Sequence, residues 1–226
     1  MGRPEIKARA TDEEIGAASY PSPPCAVQAL MAHERLPQRV WEPACGAGVG
    51  MVLPMRETGR TVYASDLIDR GCPDSHVEDF LGTPIEAPIR RAQQGPFYAI
   101  VTNPPFSIAD PFIRRALTLV PEVYMLLRLT YLEGAGRTDI LERSGLRRVL
   151  VFRERLPSLH REDWDGPKVS NPTAYAWFCF RKGWRGKRAV DRISCRDIGP
   201  PLPWDAPEVK TDDPNQLQMF ERPIPW

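Results

Sequence analysis

The apolar positions along the chain follow two spacings, and each spacing predicts a different element. Apolar runs of about four to eight residues are typical of buried strands, whereas apolar residues three and four apart are typical of helices that bury one face. Strand and helix alternate, which predicts an α/β fold with a mostly parallel sheet. Strands are predicted at 39–44, 61–66, 98–102, 122–129, 147–152 and 173–180, and helices at 25–34, 50–59, 110–120 and 138–143.

The last part of the chain departs from this alternation. The strands at 147–152 and 173–180 are expected to pair antiparallel, and residues 196–226 contain seven prolines. Proline lacks a backbone N–H donor and is excluded from helix interiors and central strands. We therefore expect a flexible N-terminal arm over 1–19, one domain over 20–195 and a proline-rich tail over 196–226.

The composition of the chain limits the classes of protein to which it can belong. Of the 226 residues, 42% are hydrophobic and 26% are charged, which is ordinary for a globular domain. No run approaches the roughly 20 apolar residues that span a bilayer, and the first residues lack the apolar segment of a secretory signal, so a cytoplasmic protein is expected. Five scattered cysteines and three histidines indicate neither a disulfide framework nor a zinc site.

The net charge of +1 hides an uneven distribution. Residues 1–110 have a net charge of −4, whereas residues 111–192 have a net charge of +8. A basic region of this kind can contact nucleic-acid phosphates, although a solvated surface explains many such regions. The candidate nucleic-acid contacts within it are Arg153, Arg155, Lys168, Arg181 and Lys182.

Glycines alternate in the turn after the first predicted strand. The turn reads Glu42-Pro43-Ala44-Cys45-Gly46-Ala47-Gly48, and such glycines let the backbone bend sharply and approach a ligand closely. Asp66 ends the second predicted strand, where a carboxylate can accept hydrogen bonds from both ribose hydroxyls of an adenosine. The pattern indicates an adenosine-containing cofactor, and the alternative is a tight turn without a ligand.

This turn resembles the first motif of class I S-adenosylmethionine-dependent methyltransferases, which has the form acidic-x-x-x-Gly-x-Gly. The resemblance implies a Rossmann-like methyltransferase domain in which Glu42 faces the methionine ammonium of the cofactor. Asp79-Phe80 is similar to the motif that holds the adenine, although a surface acid beside a core phenylalanine is the alternative. The residues implied for cofactor binding are Tyr20, Pro21, Ser22, Glu42, Ala44, Gly46, Gly48, Asp66, Leu67, Asp79, Phe80 and Asn103.

A second motif, Asn103-Pro104-Pro105-Phe106, follows the predicted strand at 98–102. The prolines fix φ near about −65° and remove two N–H donors, so the Pro104 carbonyl is presented rigidly. This carbonyl and the Asn103 side-chain oxygen could accept both hydrogens of an exocyclic amine and aim its lone pair at an electrophilic methyl group. Phe106 can stack on a planar substrate.

The motif resembles the (Asp/Asn/Ser)-Pro-Pro-(Tyr/Phe/Trp) signature of methyltransferases that act on adenine N6, cytosine N4 or a protein glutamine amide. It is most similar to the N6-adenine group, and Tyr20-Pro21-Ser22 is similar to a segment of DNA adenine methyltransferases. The resemblance covers about residues 20–182 and implies methylation of adenine in DNA, with Asn103, Pro104, Pro105 and Phe106 as catalytic residues. Adenine in RNA, a protein glutamine, and a catalytically silent nucleic-acid-binding protein stay open as alternatives.

The tail contains Gln216-Leu217-Gln218-Met219-Phe220. This segment resembles the bacterial sliding-clamp-binding pentapeptide Gln-Leu-x-Leu-Phe, and a short apolar group in a proline-rich tail suits a docking peptide. The resemblance implies a sliding clamp as a partner that contacts Gln216, Leu217, Met219 and Phe220. The alternative is a tail that folds back on its own core.

Overall fold

The computed structural model describes residues 22–82, 97–157, 173–197 and 199. Within these ranges the chain forms one sheet of eight strands, with helices packed on both faces. The strands are β1 (Arg39–Glu42), β2 (Thr61–Asp66), β3 (Ser75–Val77), β4 (Ala99–Thr102), β5 (Glu122–Arg128), β6 (Leu146–Phe152), β7 (Tyr175–Arg181) and β8 (Ala189–Ile193). The helices are α1 (Pro24–His33), α2 (Val52–Glu57), α3 (Ala109–Leu119) and α4 (Thr138–Arg143).

The strands lie in the order β3-β2-β1-β4-β5-β7-β6-β8. The four pairings from β3 to β5 are parallel, β7 runs antiparallel to both β5 and β6, and β8 is parallel to β6. This arrangement confirms the predicted mostly parallel sheet and the antiparallel pairing of β6 with β7. The sequence did not predict β3, which has three residues, or β8, an edge strand whose Val190 is exposed.

Apolar side chains fill both faces of the central strands. α1 and α2 cover one face with residues such as Leu30 and Met55, and α3 and α4 cover the other with Ile113 and Ile140. Every residue of β4 is buried. Burial on both faces explains why this strand appears in the sequence as a continuous apolar run rather than an alternating one.

The parallel pairing brings the carboxyl ends of β1, β2, β4 and β5 to one side of the sheet, which we call the carboxyl edge. In the register, Glu42 lies opposite Ala64, and Thr102 lies opposite Met125. The amino ends of the same strands form the opposite, amino edge. Because β7 is antiparallel, its last residue, Arg181, lies at the amino edge, opposite Glu122.

A disulfide joins Cys25, in the first turn of α1, to Cys195, just after β8. The Cα atoms of the two cysteines are 5.0 Å apart although 170 positions separate them in the sequence. The sequence indicated no disulfide framework and did not predict this single bond, because scattered spacing carries no information on which cysteines the fold brings together. The described residues contain no group of three metal-ligating side chains, and none of their helices is long and apolar enough to cross a membrane.

The predicted domain boundaries are only partly covered by the structure. The arm at 1–19 and most of the tail lie outside the described residues. Contacts with the domain continue past residue 195, since the Asp197 carboxylate pairs with His33 at 2.9 Å and with Arg153 at 3.2 Å. The division into arm, domain and tail stays a prediction.

Candidate active site

The glycine turn after β1 adopts a backbone that only glycine accommodates easily. Gly46 and Gly48 have φ values of 55° and 80°, in the left-handed region that disfavours a Cβ. At Gly48 an added Cβ would lie 2.5 Å from Cys72 Sγ, and at Gly50 it would collide with the backbone oxygen of Ser22. The turn therefore packs tightly against the segment that leads into α1.

Asp66, at the end of β2, anchors this turn. Its Oδ2 accepts a hydrogen bond from the Gly46 N–H at 2.8 Å, and its Oδ1 lies 3.4 Å from Arg70 Nε. The next residues, Leu67 and Ile68, are apolar but 43% and 42% exposed. An acceptor beside exposed apolar side chains is the combination that the ribose and adenine of a nucleoside require.

Glu42, the last residue of β1, is a buried acid with an exposed fraction of 1%. Its Oε1 accepts a hydrogen bond from the Ala44 N–H at 2.9 Å. Burial raises the pKa of this carboxyl group to about 8. No basic side chain in the described ranges lies within ion-pair distance of it, so the ammonium of a ligand would supply the missing counter-charge.

The structure separates the two residues of the Asp79-Phe80 pair. Asp79 is exposed after β3, and its Oδ1 accepts a hydrogen bond from the Leu81 N–H at 2.9 Å. Phe80 is buried and packs against Trp41 and Phe112, with ring centroids 5.2 Å and 4.6 Å away. This burial favours the alternative interpretation of Phe80 as a core residue. Adenine contact by Asp79 stays a prediction.

Asn103 follows β4 at the carboxyl edge. Its amide Nδ2 donates a hydrogen bond to Ser22 Oγ at 3.0 Å, and Ser22 is itself buried. The Pro105 carbonyl accepts a hydrogen bond from the Ile108 N–H at 3.1 Å, whereas no donor in the described part of the chain reaches the Pro104 carbonyl. The sequence resemblance placed both residues among the cofactor contacts, but it did not predict the hydrogen bond between them across 81 positions.

Phe106 lies beside two arginines that belong to neither sequence motif. Its ring is 36% exposed. The Cζ atoms of Arg128 and Arg137 lie 4.9 Å and 5.7 Å from the ring centroid. Tyr131 contacts the ring edge-on at 6.4 Å. These neighbours come from the segment after β5, so only the parallel pairing of β4 with β5 brings them to the motif.

The five candidate nucleic-acid contacts do not form one surface. Arg153 and Arg155 follow β6, which is parallel to β5, and so lie on the side of the carboxyl edge. Arg181 and Lys182 lie at the amino edge, where Arg181 pairs with Glu122 at 2.7 Å. Lys168 is outside the described residues, as are Tyr20, Pro21 and the segment at 216–220.

Comparisons with known proteins agree with this architecture. No family model and no curated protein matches the sequence. A protein of Pyrococcus horikoshii provisionally assigned as an RNA methyltransferase is similar in structure, with a TM-score of 0.54 and 13% identity over 78% of this chain and 90% of that chain. A methyltransferase subunit of a type I restriction-modification system from Streptococcus thermophilus gives a TM-score of 0.53 and 10% identity, covering 80% of this chain and 49% of that chain.

At these identities the similarity establishes the fold. The domain has the Rossmann-like fold of class I methyltransferases, as the sequence predicted. This chain spans about half the length of the restriction-modification subunit.

Proposed function

We propose that this protein transfers a methyl group from S-adenosylmethionine to the N6 amine of adenine in DNA. The observation that carries the proposal is the convergence of Glu42, Asp66 and Asn103 at the carboxyl ends of adjacent strands. Ligands of open α/β sheets bind at this edge. The buried acid Glu42, the ribose acceptor Asp66 and the amine acceptor Asn103 thus lie at neighbouring strand ends.

The residues at this edge fit S-adenosylmethionine. Glu42 would hold the methionine ammonium, Asp66 would accept the ribose hydroxyls, and Leu67 with Ile68 would flank the adenine ring. When bound, this cofactor supplies a methyl group on a positively charged sulfur. The lack of a cationic partner for Glu42 within the described residues distinguishes this site from an ordinary glycine turn.

Asn103 and Pro104 would prepare the amine for reaction. The Asn103 Oδ1 and the Pro104 carbonyl accept its two N–H groups, which turns the nitrogen lone pair out of the ring plane. The nitrogen would form its new bond to the methyl carbon as the bond from that carbon to the cofactor sulfur breaks. The electron pair of the broken bond would stay on sulfur, and the nitrogen would then release a proton to water. Ser22 holds the Asn103 amide by accepting from Nδ2 at 3.0 Å, so the oxygen, not the nitrogen, is directed to the amine.

DNA is the proposed substrate because Asn-Pro-Pro-Phe most resembles the N6-adenine group and because Phe106 offers a partly exposed ring beside two arginines. A base that leaves a duplex needs such a stacking surface. RNA is the second candidate, supported by the structural similarity to the Pyrococcus horikoshii protein. Within either substrate the reacting group is the same amine.

The test uses tritium-labelled S-adenosylmethionine with three acceptors: an adenine-containing DNA, an RNA of the same sequence, and a protein extract. Digestion to nucleosides and mass spectrometry identify the product. We expect N6-methyladenine in the DNA. Label only in RNA would reassign the substrate, label in glutamine would overturn the proposal, and cofactor binding without any transfer would indicate the silent-protein alternative.

The tail motif at 216–220 lies outside the described residues, and sliding-clamp binding stays a prediction. Deleting these five residues should leave methylation of short oligonucleotides unchanged and abolish retention by an immobilised bacterial clamp. Absence of clamp binding by the intact chain would remove this partner.

A further inference from the structure

We infer that Arg128 positions the nucleic-acid strand: its guanidinium covers the Phe106 ring in the free protein and pairs with a backbone phosphate when the target base stacks there. This inference rests on the proposed function and adds to it a residue that neither methyltransferase motif contains. The contact that suggests it is the 4.9 Å separation between Arg128 Cζ and the Phe106 ring centroid.

Arg128 is the last residue of β5, at the carboxyl edge. β5 pairs in parallel with β4, and Thr102 lies opposite Met125. The side chain of Arg128 therefore starts next to the strand that delivers Asn103 and Phe106. The sheet register therefore fixes the position of this positive charge more firmly than a loop would.

The second arginine at the ring has a different environment. Arg137 lies 3.7 Å from the Asp110 carboxylate and 4.5 Å from the Tyr131 centroid, and the Tyr131 hydroxyl donates to Asp110 at 2.5 Å. Arg137 is thus neutralised and held. These contacts give it a supporting role beside the Phe106 ring.

Arg128 lacks such neutralisation. No carboxylate of the described residues lies within ion-pair distance of its guanidinium. Its guanidinium contacts the face of the Phe106 ring, and Phe106 is itself 36% exposed. A cation that contacts a partly exposed ring and no carboxylate of the described residues keeps its charge available for an anion, and such a contact is weak enough to be exchanged.

The distance between Arg128 Cζ and the Phe106 ring centroid determines how a base can stack on the ring. Stacked aromatic rings have centroids about 4.5 to 7 Å apart, and Arg128 Cζ already occupies that distance range at 4.9 Å. A base stacking on this face of Phe106 must displace the guanidinium. The displaced cation remains beside the flipped nucleotide, where the nearest unneutralised anions are backbone phosphates.

The experiment compares Arg128→Ala, Arg128→Lys and a matched control, Arg143→Ala. Arg143 is an exposed arginine that ends α4, which precedes the amino end of β6. Binding of a fluorescent adenine-containing oligonucleotide is followed by anisotropy over a range of salt concentrations, and methyl transfer is measured with the same strand. Cofactor affinity of each variant confirms that the site is folded.

We expect Arg128→Ala to raise the KM for the oligonucleotide about tenfold, to change kcat less than about twofold, and to reduce the slope of log affinity against log salt by about one. Arg128→Lys should keep the salt slope because its charge is retained. Arg143→Ala should match the parent in all three quantities.

Parental KM and salt slope in Arg128→Ala, or an equal change in Arg143→Ala, would overturn the inference. A parent that binds the strand but transfers no methyl group would overturn the proposed function while the salt slopes still decide the role of Arg128. A parent that neither binds nor methylates the strand would overturn both.

Discussion

The buried acidic side chains at the two edges of the sheet differ in their ion-pair partners. At the amino edge, Glu122 pairs with Arg181 at 2.7 Å. Near the start of β6, Glu34 is paired with both Arg147 and Arg148. At the carboxyl edge, Glu42 is equally buried, and the described residues offer it no cation.

This difference separates a structural acid from a binding acid. A buried carboxylate with an arginine is neutralised inside the protein and contributes to the fold. A buried carboxyl group without a cation has a raised pKa and costs stability unless a ligand supplies the charge, which is typical of functional sites. Substitutions at the two edges should therefore have different effects on binding, methyl transfer and stability.

The largest loss is expected at the carboxyl edge from Asn103→Ala. Removing the amine acceptor should lower the rate of methyl transfer by about 100-fold or more while cofactor affinity stays nearly unchanged. Single-turnover transfer from labelled cofactor and calorimetric binding measure the two quantities. Turnover equal to that of the parent would eliminate the amine-acceptor mechanism.

Asp66→Ala should weaken cofactor binding by about 1 to 3 kcal/mol, because the ribose hydroxyls and the Gly46 N–H lose a buried acceptor. Calorimetric titration with S-adenosylmethionine gives the dissociation constant, and circular dichroism checks the fold. If a folded Asp66→Ala variant binds with parental affinity, Asp66 does not belong to the cofactor site.

Cofactor affinity should rise with pH because of Glu42. Its pKa is about 8 in the free protein, so at lower pH the ammonium must displace a proton from the carboxyl group. The dissociation constant should fall by up to about tenfold for each pH unit between 6 and 8, and Glu42→Gln should abolish this dependence. Affinity independent of pH in the parent would contradict the assignment.

The same raised pKa has a consequence for stability. Between the ordinary value of 4.5 and about 8, the folded Glu42 holds a proton that the unfolded chain has released. The contribution of Glu42 to the free energy of unfolding should therefore fall as pH rises through this window. Denaturant unfolding of the parent and of Glu42→Gln isolates this contribution.

Ser22→Ala should lower kcat by about tenfold, a smaller loss than Asn103→Ala, because the amide remains but loses the group that orients it. Ser22→Thr keeps the hydroxyl and should restore most of the rate. A structural role alone would lower cofactor affinity and the thermal midpoint instead. Equal rates in Ser22→Ala and Ser22→Thr would show that the hydroxyl does not position Asn103.

Arg181→Ala, at the amino edge, should not change methyl transfer per folded molecule. It leaves the buried Glu122 without its cation and should lower the free energy of unfolding by about 1 to 2 kcal/mol, since Arg181 is partly exposed. Thermal unfolding and transfer assays on the same preparation separate the effects. A loss of methyl transfer without a loss of folding stability would contradict the distinction between a structural amino edge and a functional carboxyl edge.

The sequence predicted most of the sheet but not its edges. β4 and β5 were recognised because burial on both faces produces continuous apolar runs. β3 and β8 were missed since a three-residue strand and an exposed edge strand leave little apolar pattern. In the candidate site, the motifs predicted Glu42, Asp66, Asn103 and Ser22, whereas the hydrogen bond between Ser22 and Asn103 and the arginines at Phe106 were not predicted.

The sequence alone predicted the class of fold and the residue types at the carboxyl edge, because strand periodicity, the glycine turn and the paired prolines are local properties of the chain. Only the tertiary structure decided which distant residues meet. It joined Cys25 to Cys195, set Arg128 on Phe106, and carried Arg181 to the amino edge through the antiparallel β7. Strand direction and register fix such contacts, and neither is encoded in the composition of a single segment.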